Sequence, residues 1–313
     1  MKVLVTGKID EEHIEKIKSM GFDVELAGIN ELRSGNYPKD AEILCGSIAL
    51  KKLDLRDFKN LKIILTYSVG VDYLDKNYLK EKGIILCNNK GAYAQPIGEW
   101  IIYNLLQIEK LNKENIKNQE NKIWKRRNSS GTLYNKKILF LGTGDIASDA
   151  ARKLQGFDME VVGFNTDGRD LDYFNRCVDK TNLDKELASS DYIVVALPHT
   201  PATERFVNKE CFDKMKDGVV IINISRGSTI DEAEMIRQLE SGKIKAVALD
   251  VVEREPLSQD SPLWEMENVY ITPHISDTSE DFRDRVLFNV MDNLKNIKEG
   301  KELINKVNFN KGY

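Results

Sequence analysis

The stretch Lys137-Ile138-Leu139-Phe140-Leu141-Gly142-Thr143-Gly144-Asp145-Ile146-Ala147 decides the fold: an apolar run breaks into a glycine turn and then into a helical pattern. Glycine lets the backbone turn tightly and approach a pyrophosphate, and the free amides and dipole of the following helix favour negative charge. Ala150, Ala151 and Leu154 continue the apolar face begun by Ile146, and Met159-Glu160-Val161-Val162-Gly163-Phe164 reads as the next strand. A Gly-x-Gly-x-x-Ala turn between strand and helix, followed by a second strand, predicts a Rossmann-like dinucleotide-binding unit. Its expected cofactor contacts are Gly142, Gly144, Asp145 and Ile146.

Outward from this unit the same rhythm repeats. On the N-terminal side, apolar runs at Val3 to Val5, Phe22 to Leu26, Ala41 to Cys45, Ile63 to Thr66 and Ile84 to Cys87 alternate with helical stretches. Those helices are expected at Glu11 to Met20, Leu53 to Phe58 and Tyr73 to Lys82. This order predicts a parallel sheet covered on both faces. Pro96-Ile97-Gly98-Glu99 opens a long helix, where proline is acceptable in the first turn, and the helix fades into the polar stretch Asn112 to Asn121. On the C-terminal side, strands are predicted near Tyr192 to Leu197, Val219 to Asn223, Ala246 to Val251 and Val269 to Thr272, in a sheet almost wholly buried. A terminal helix, Ser279 to Glu299, carries Phe282, Val286, Leu287, Val290 and Leu294 at helical spacing and ends at Gly300. Periodicity leaves open whether it caps the nucleotide domain or returns to the first.

Composition narrows the class. A chain of 313 residues exceeds the usual single-domain size, and 41% hydrophobic with 31% charged residues describes a globular protein with ample core. A net charge of -4 gives no general attraction to nucleic acid, and the N-terminal apolar run is too short for a signal peptide or a membrane span. Four cysteines, Cys45, Cys87, Cys177 and Cys211, form no Cys-x-x-Cys pair, so neither a disulfide framework nor a metal site is suggested and a reducing cytoplasm is expected.

Only three histidines are available as acids or bases. His13 lies in the first helix beside Glu12 and Glu15 and reads as surface. His199 follows the strand Tyr192 to Leu197, at the carboxyl edge where open α/β sheets bind ligands, which suits proximity to a cofactor. His274 follows Val269-Tyr270-Ile271-Thr272-Pro273 and is the best proton donor. A carboxylate beside it would specify its tautomer and favour the imidazolium, and Glu253 and Glu255 lie just past the neighbouring strand. Arg226, just past Val219 to Asn223, has the planar fork that suits a carboxylate or a polarised carbonyl.

Asn223-Ile224-Ser225-Arg226-Gly227, Leu249-Asp250-Val251-Val252-Glu253-Arg254-Glu255-Pro256-Leu257, Pro262-Leu263-Trp264 and Thr272-Pro273-His274-Ile275 resemble the signature blocks of the D-isomer-specific 2-hydroxyacid dehydrogenases. Ser68-Val69-Gly70-Val71-Asp72 resembles their substrate loop, and Gly98-Glu99 the hinge entering their nucleotide domain. The resemblance implies two Rossmann-like and flavodoxin-like parallel-sheet α/β domains with the active site in the cleft between them. It implies a discontinuous substrate domain of residues 1–95 plus 277–313, to which the terminal helix returns, and an NAD(P)-binding domain of residues 96–276. It also implies hydride transfer between a nicotinamide and C2 of a small D-2-hydroxy acid or 2-oxo acid. His274 is then the acid or base and Glu255, which directly precedes Pro256, its partner. Arg226 with the amides of Val69 and Gly70, beside Ser68, holds the substrate. Asp250 meets the nicotinamide carboxamide, Pro198, His199, Thr203 and Ile224 lie beside the cofactor, and the chain forms a homodimer. Corepressors that sense NAD(P) share this fold, but retention of Arg226, Glu255 and His274 favours an enzyme.

Three departures bear on the ligands. Asn165, in Asn165-Thr166-Asp167-Gly168-Arg169, stands where an acidic residue would bind the adenosine ribose. An amide does not repel a 2'-phosphate and Arg169 can pair with one, which favours NADP over NAD, while Asp167 argues the other way. Ser276-Asp277 replaces a small glycine-rich turn after the histidine, and Asn89-Lys90-Gly91 lacks a frequent proline. 3-Phosphoglycerate is a conceivable substrate, with Lys51 and Lys52 for its phosphate, yet Cys45-Gly46-Ser47 offers no arginine; Glu255 in place of glutamine disfavours formate oxidation.

Overall fold

In the computed structural model, which describes residues 1–7 and 9–310, the chain divides into two compact units. One comprises Met1–Ala92 with Ser279–Tyr313, the other Tyr93–Thr278. The last three residues of the expected 277–313 segment lie outside the described residues.

The first unit runs β1 (Lys2–Thr6), α1 (Glu11–Ser19), β2 (Asp23–Ala27), α2 (Ile29–Ser34), β3 (Ile43–Gly46), β4 (Ile63–Thr66), α3 (Lys76–Lys82) and β5 (Ile85–Cys87). Its five strands pair in parallel in the order β2-β1-β3-β4-β5. The apolar alternation within the strands sends Leu4, Leu44, Ile64 and Leu86 to one buried face and Val3, Val5, Ile43 and Leu65 to the other. The predicted helix over Leu53 to Phe58 is instead two short 3-10 turns, Ile48–Lys52 and Leu55–Asp57, the second started by the Asp54 carboxylate accepting from the Arg56 amide. Asp and Ser flanking such a short apolar run favour local turns over a helix.

The second unit runs α4 (Ala94–Glu109), α5 (Asn112–Glu120), β6 (Lys137–Leu141), α6 (Asp145–Leu154), β7 (Glu160–Phe164), β8 (Arg176–Val178), α7 (Leu183–Ser189) and β9 (Tyr192–Val195). It continues with α8 (Lys209–Lys214), β10 (Val219–Asn223), α9 (Glu232–Glu240), β11 (Ile244–Leu249) and β12 (Val269–Ile271). Seven parallel strands lie in the order β12-β11-β10-β9-β6-β7-β8, and every residue of β9 and β10 is buried. After β6 the chain builds outward through β7 and β8, then returns to the other side at β9, so the order reverses between β6 and β9. Such a switch point opens a crevice at the carboxyl ends of the strands. The polar stretch after α4 is not an unwound end: Leu111 adopts a left-handed conformation (φ 54°) and α5 follows, with none of its residues buried. Short edge strand β8 carries too few residues to show a period.

The terminal helix, α10 (Phe282–Glu299), begins three residues later than its apolar spacing predicts. It belongs to the first unit, where Leu287, Val290 and Leu294 share a core with Val3, Ile43 and Leu65. Beyond it, the Asn88 amide donates to the Asn305 carbonyl and the Val307 amide to the Leu86 carbonyl, so the C-terminal segment covers the free edge of β5. His13, expected on the surface, is half-buried, with Nε2 3.7 Å from Asp284 of α10.

Candidate active site

The cradle for a dinucleotide stands at the end of β6. Gly142 has φ +101°, and a side chain there would bring its Cβ within 2.5 Å of the Ala196 carbonyl oxygen, so both conformation and space demand glycine. Gly144 caps α6 and is open: nothing lies within 4 Å of where its Cβ would stand. With Asp145 and Ile146 in the first helical turn, these residues form a helix N-terminus whose geometry fits a pyrophosphate. At the end of β7, Asn165 is buried and donates its amide to the Arg169 carbonyl at 2.9 Å, which leaves its Oδ1 buried without a partner. Such an acceptor calls for a hydrogen-bond donor. Thr166 is exposed, and Arg169 pairs with Asp167 at 2.7 Å.

The loop after β9 is internally braced. Thr203 Oγ1 donates to the Pro198 carbonyl at 2.6 Å and accepts from the Thr200 amide at 2.8 Å, while His199 Nε2 lies 2.6 Å from Glu204. His199 therefore has a carboxylate of its own. After β10, buried Ile224 donates its amide to the Val195 carbonyl, contributing backbone to this edge of the sheet.

The charged candidates lie at the ends of β10, β11 and β12. Half-buried Arg226 is carried by a loop in which Asn223 Nδ2 and Thr229 Oγ1 both donate to its carbonyl, at 3.2 and 2.6 Å. The next residue, Gly227, packs against backbone: a Cβ there would fall 1.9 Å from the Val252 carbonyl carbon. That approach ties the Arg226 loop to the segment leading to Glu255. The two glutamates of that segment separate cleanly. Glu253 pairs with Arg205 at 3.1 Å, whereas Glu255 Oε2 lies 2.9 Å from His274 Nδ1. Among the described residues Nδ1 is the ring nitrogen with a partner, the glutamate, which leaves Nε2 to face a ligand.

His274 is held in a left-handed conformation (φ 54°), and its amide donates to the carbonyls of Asp250 and Thr272. Asp250, 2% exposed, does more than the resemblance implies. Its Oδ1 accepts from Thr272 Oγ1 at 2.6 Å and the Ile275 amide at 2.9 Å, and its Oδ2 from the Ser276 amide at 3.0 Å. A carboxylate offers about four acceptor sites, so little capacity remains for a cofactor amide. Asp250 is in the first place a clamp on the loop that presents His274. Asp277, the next residue after the clamp, is half-buried, and burial pushes its carboxyl above the usual range, opposed by His274 and reinforced by Asp250.

In the first unit, the loop after β4 presents backbone rather than charge. Thr66 Oγ1 donates to the Ser68 carbonyl, Asn88 Nδ2 to the Val69 carbonyl and the Asn89 amide to the Ser68 carbonyl, at 2.8, 2.9 and 3.0 Å. Ser68 Oγ lies 2.9 Å from both the Gly70 carbonyl and the Tyr73 hydroxyl. Among the described residues none accepts the amides of Val69 and Gly70. Fully buried Asn89 also donates to the Tyr67, Arg285 and Val286 carbonyls and accepts from Asn289 of α10. Neither Asn88 and Asn89 nor the clamping role of Asp250 is signalled by the sequence beyond their position after a strand.

Residues 102–276 match the NAD binding domain of the D-isomer specific 2-hydroxyacid dehydrogenases. The chain belongs to that family. It is 32% identical to D-3-phosphoglycerate dehydrogenase of Archaeoglobus fulgidus over 99% of its own length, but spans only 59% of that protein. It is 34% identical to hydroxypyruvate reductase of Thermotoga maritima, over 73% of this chain and 74% of the relative. Among solved structures it resembles the NADPH-dependent glyoxylate/hydroxypyruvate reductase of Sinorhizobium meliloti in complex with NADP and sulfate. That likeness has a TM-score of 0.83 at 26% identity and covers 100% of this chain and 99% of the other. The two parallel sheets, of five and seven strands, are thus those of an NAD(P)-binding 2-hydroxyacid dehydrogenase fold. No helix among the described residues is long and apolar enough to cross a membrane.

Proposed function

We propose that the chain is an NAD(P)-dependent oxidoreductase acting between C2 of a small 2-oxo acid and the corresponding D-2-hydroxy acid. The observation that carries this reading is the 2.9 Å His274–Glu255 pair on the same sheet edge as the Gly142–Ile146 cradle. When bound, the nicotinamide dinucleotide supplies or accepts the hydride. Gly142, Gly144, Asp145 and Ile146 hold its pyrophosphate, Asn165, Thr166 and Arg169 its adenosine ribose, and Pro198, His199, Thr203, Ile224 and Asp250 line its path. His274 Nε2 delivers a proton to the forming C2 alkoxide, or removes it in reverse, while Glu255 at Nδ1 keeps the ring oriented. Arg226 neutralises charge on the substrate oxygens, and the resemblance adds the amides of Val69 and Gly70, next to Ser68 and without an acceptor among the described residues, as donors to its carboxylate.

For the cofactor we favour NADP. Asn165 brings no negative charge to the ribose, and the Asp167 carboxylate is paired by Arg169 at 2.7 Å, which lowers its repulsion of a 2'-phosphate. For assembly we favour a homodimer through the second unit, on which Trp124 is fully exposed and Tyr103, Ile116, Ile123 and Tyr134 are about half exposed or more.

A panel of glyoxylate, hydroxypyruvate, phosphohydroxypyruvate and branched 2-oxo acids, each assayed with NADPH and NADH, tests the reading. Reduction of at least one acid is expected, with the higher kcat/KM for NADPH. No turnover of any acid overturns the enzyme in favour of an NAD(P)-sensing interaction protein, and a strong NADH preference overturns the cofactor reading.

A further inference from the structure

The family's pair and cradle leave Asp277 unused. It is the second corner of a turn closed by the Thr278 amide and hydroxyl donating to the Ile275 carbonyl, at 3.0 and 2.7 Å. The first corner, Ser276, is 6% exposed and fastened by its amide to Asp250. The turn therefore has one fixed orientation, three residues past His274. Asp277 itself is half-buried, yet among the described residues its carboxylate has neither a cation nor a side-chain hydrogen-bond donor. It lies close enough to His274 and Asp250 for both charges to act on it. His274 Nδ1 is already taken by Glu255 at 2.9 Å, so Asp277 is not a second partner for that nitrogen. A half-buried carboxylate whose one donor is its own backbone amide keeps unsatisfied acceptor sites, and a ligand that brings a donor relieves that cost while one that brings a second negative charge adds to it.

We propose that Asp277 selects the group attached to C3 of the 2-oxo acid, favouring a neutral hydrogen-bond donor such as a hydroxyl and rejecting a phosphate or a carboxylate. This rests on the dehydrogenase reading, with Asp277 as a specificity residue and not as an acid or base. Selection of this kind works by repulsion of the wrong substrate as much as by attraction of the right one. It sets the chain apart in substrate from a dehydrogenase that acts on a phosphorylated acid.

The test compares wild type with Asp277→Asn and Asp277→Ser, both checked for unchanged melting. The first readout is the ratio of kcat/KM for phosphohydroxypyruvate to that for hydroxypyruvate. Both variants are expected to raise it by about tenfold or more, the scale of a removed like-charge contact in a partly desolvated site. The second readout is the ratio of Kd values for D-3-phosphoglycerate and D-glycerate, titrated with the reduced dinucleotide present so that no turnover occurs. It is expected to shift in favour of the phosphorylated acid. Ratios that stay within about twofold in both variants overturn the role of Asp277. If the wild type turns over neither acid but the Kd ratio still shifts, the dehydrogenase reading fails and the selection by Asp277 stands.

Discussion

The two units solve the same problem, a parallel sheet with a working edge, with different polar interiors. In the first, the buried polar side chains among the described residues are all neutral: Thr6, Thr66, Asn88, Asn89, Asn289 and Asn293. In the second, four carboxylates are buried: Glu109, Glu186, Glu234 and Asp250. Three of these have cations, Lys245 for Glu109, Lys137 and Arg176 for Glu186, and Arg237 for Glu234. Asp250 has no cation among the described residues and is held by uncharged hydrogen-bond donors, which belong to the loop that presents His274. Neutral amides suffice where the edge offers backbone N–H groups to a ligand. Where the edge must fix a charged side chain, an ionised clamp makes shorter and stronger bonds, at the cost of leaving several donors stranded if it is lost.

The largest effect expected from breaking this contrast falls on the side chain that the second unit presents. His274→Ala should lower kcat/KM by about 10²–10⁴-fold while the Kd of the dinucleotide changes little, and near-normal turnover would remove His274 from the mechanism. Next comes the clamp. Asp250→Ala strands the Thr272 hydroxyl and the Ile275 and Ser276 amides, and a loss of about 3 kcal/mol in urea unfolding is expected together with a fall in kcat. A fall in stability with kcat intact would show that the clamp serves the fold and not His274. In the first unit, Asn89→Ala should cost about 1–3 kcal/mol and raise KM more than it lowers kcat, because it loosens a loop that offers only amides. An equal loss in both parameters would erase the distinction between the units.

The smallest effect is a dependence on pH. Burial alone would raise the Glu186 carboxyl, but hydrogen bonds from Lys137 at 2.5 Å and Arg176 at 3.0 Å outweigh it and hold the group below its ordinary 4.5. A carboxyl lowered in the folded state stabilises it above the ordinary value, and that contribution fades as pH falls through the folded value. Melting temperature should therefore drop below about pH 4.5, and Glu186→Gln should flatten that part of the profile. An unchanged acid profile in the variant would move the cause elsewhere in the second unit.

Much of this was legible in residue order. The glycine turn at Gly142 is readable because its geometry is local: a positive φ and a close backbone neighbour admit one residue type. Strand ends are readable because apolar runs stop there, and so Arg226, Glu255 and His274 can be placed at one edge. Contacts that span distant positions are not. The Asp250 clamp joins residues 22 to 26 positions apart, and Asn89 meets Asn289 across 200 positions. A period of two or of 3.6 carries no information about such pairings. Short strand β8 and polar helix α5 escaped for a related reason, since neither has an apolar stripe long enough to show a period.

By itself, then, the sequence determined two parallel sheets, a glycine turn between strand and helix and a shortlist of charged residues at strand ends, because each of these follows from local stereochemistry and burial. Periodicity did not place α10, since an apolar helical face fits any apolar surface; the resemblance implied its return to the first domain, and the tertiary structure shows the contacts with the first sheet. The resemblance had named Glu255 as the partner of His274; the structure adds what separates it from Glu253, which pairs with Arg205, because glutamates two positions apart differ only in the direction the chain gives their side chains.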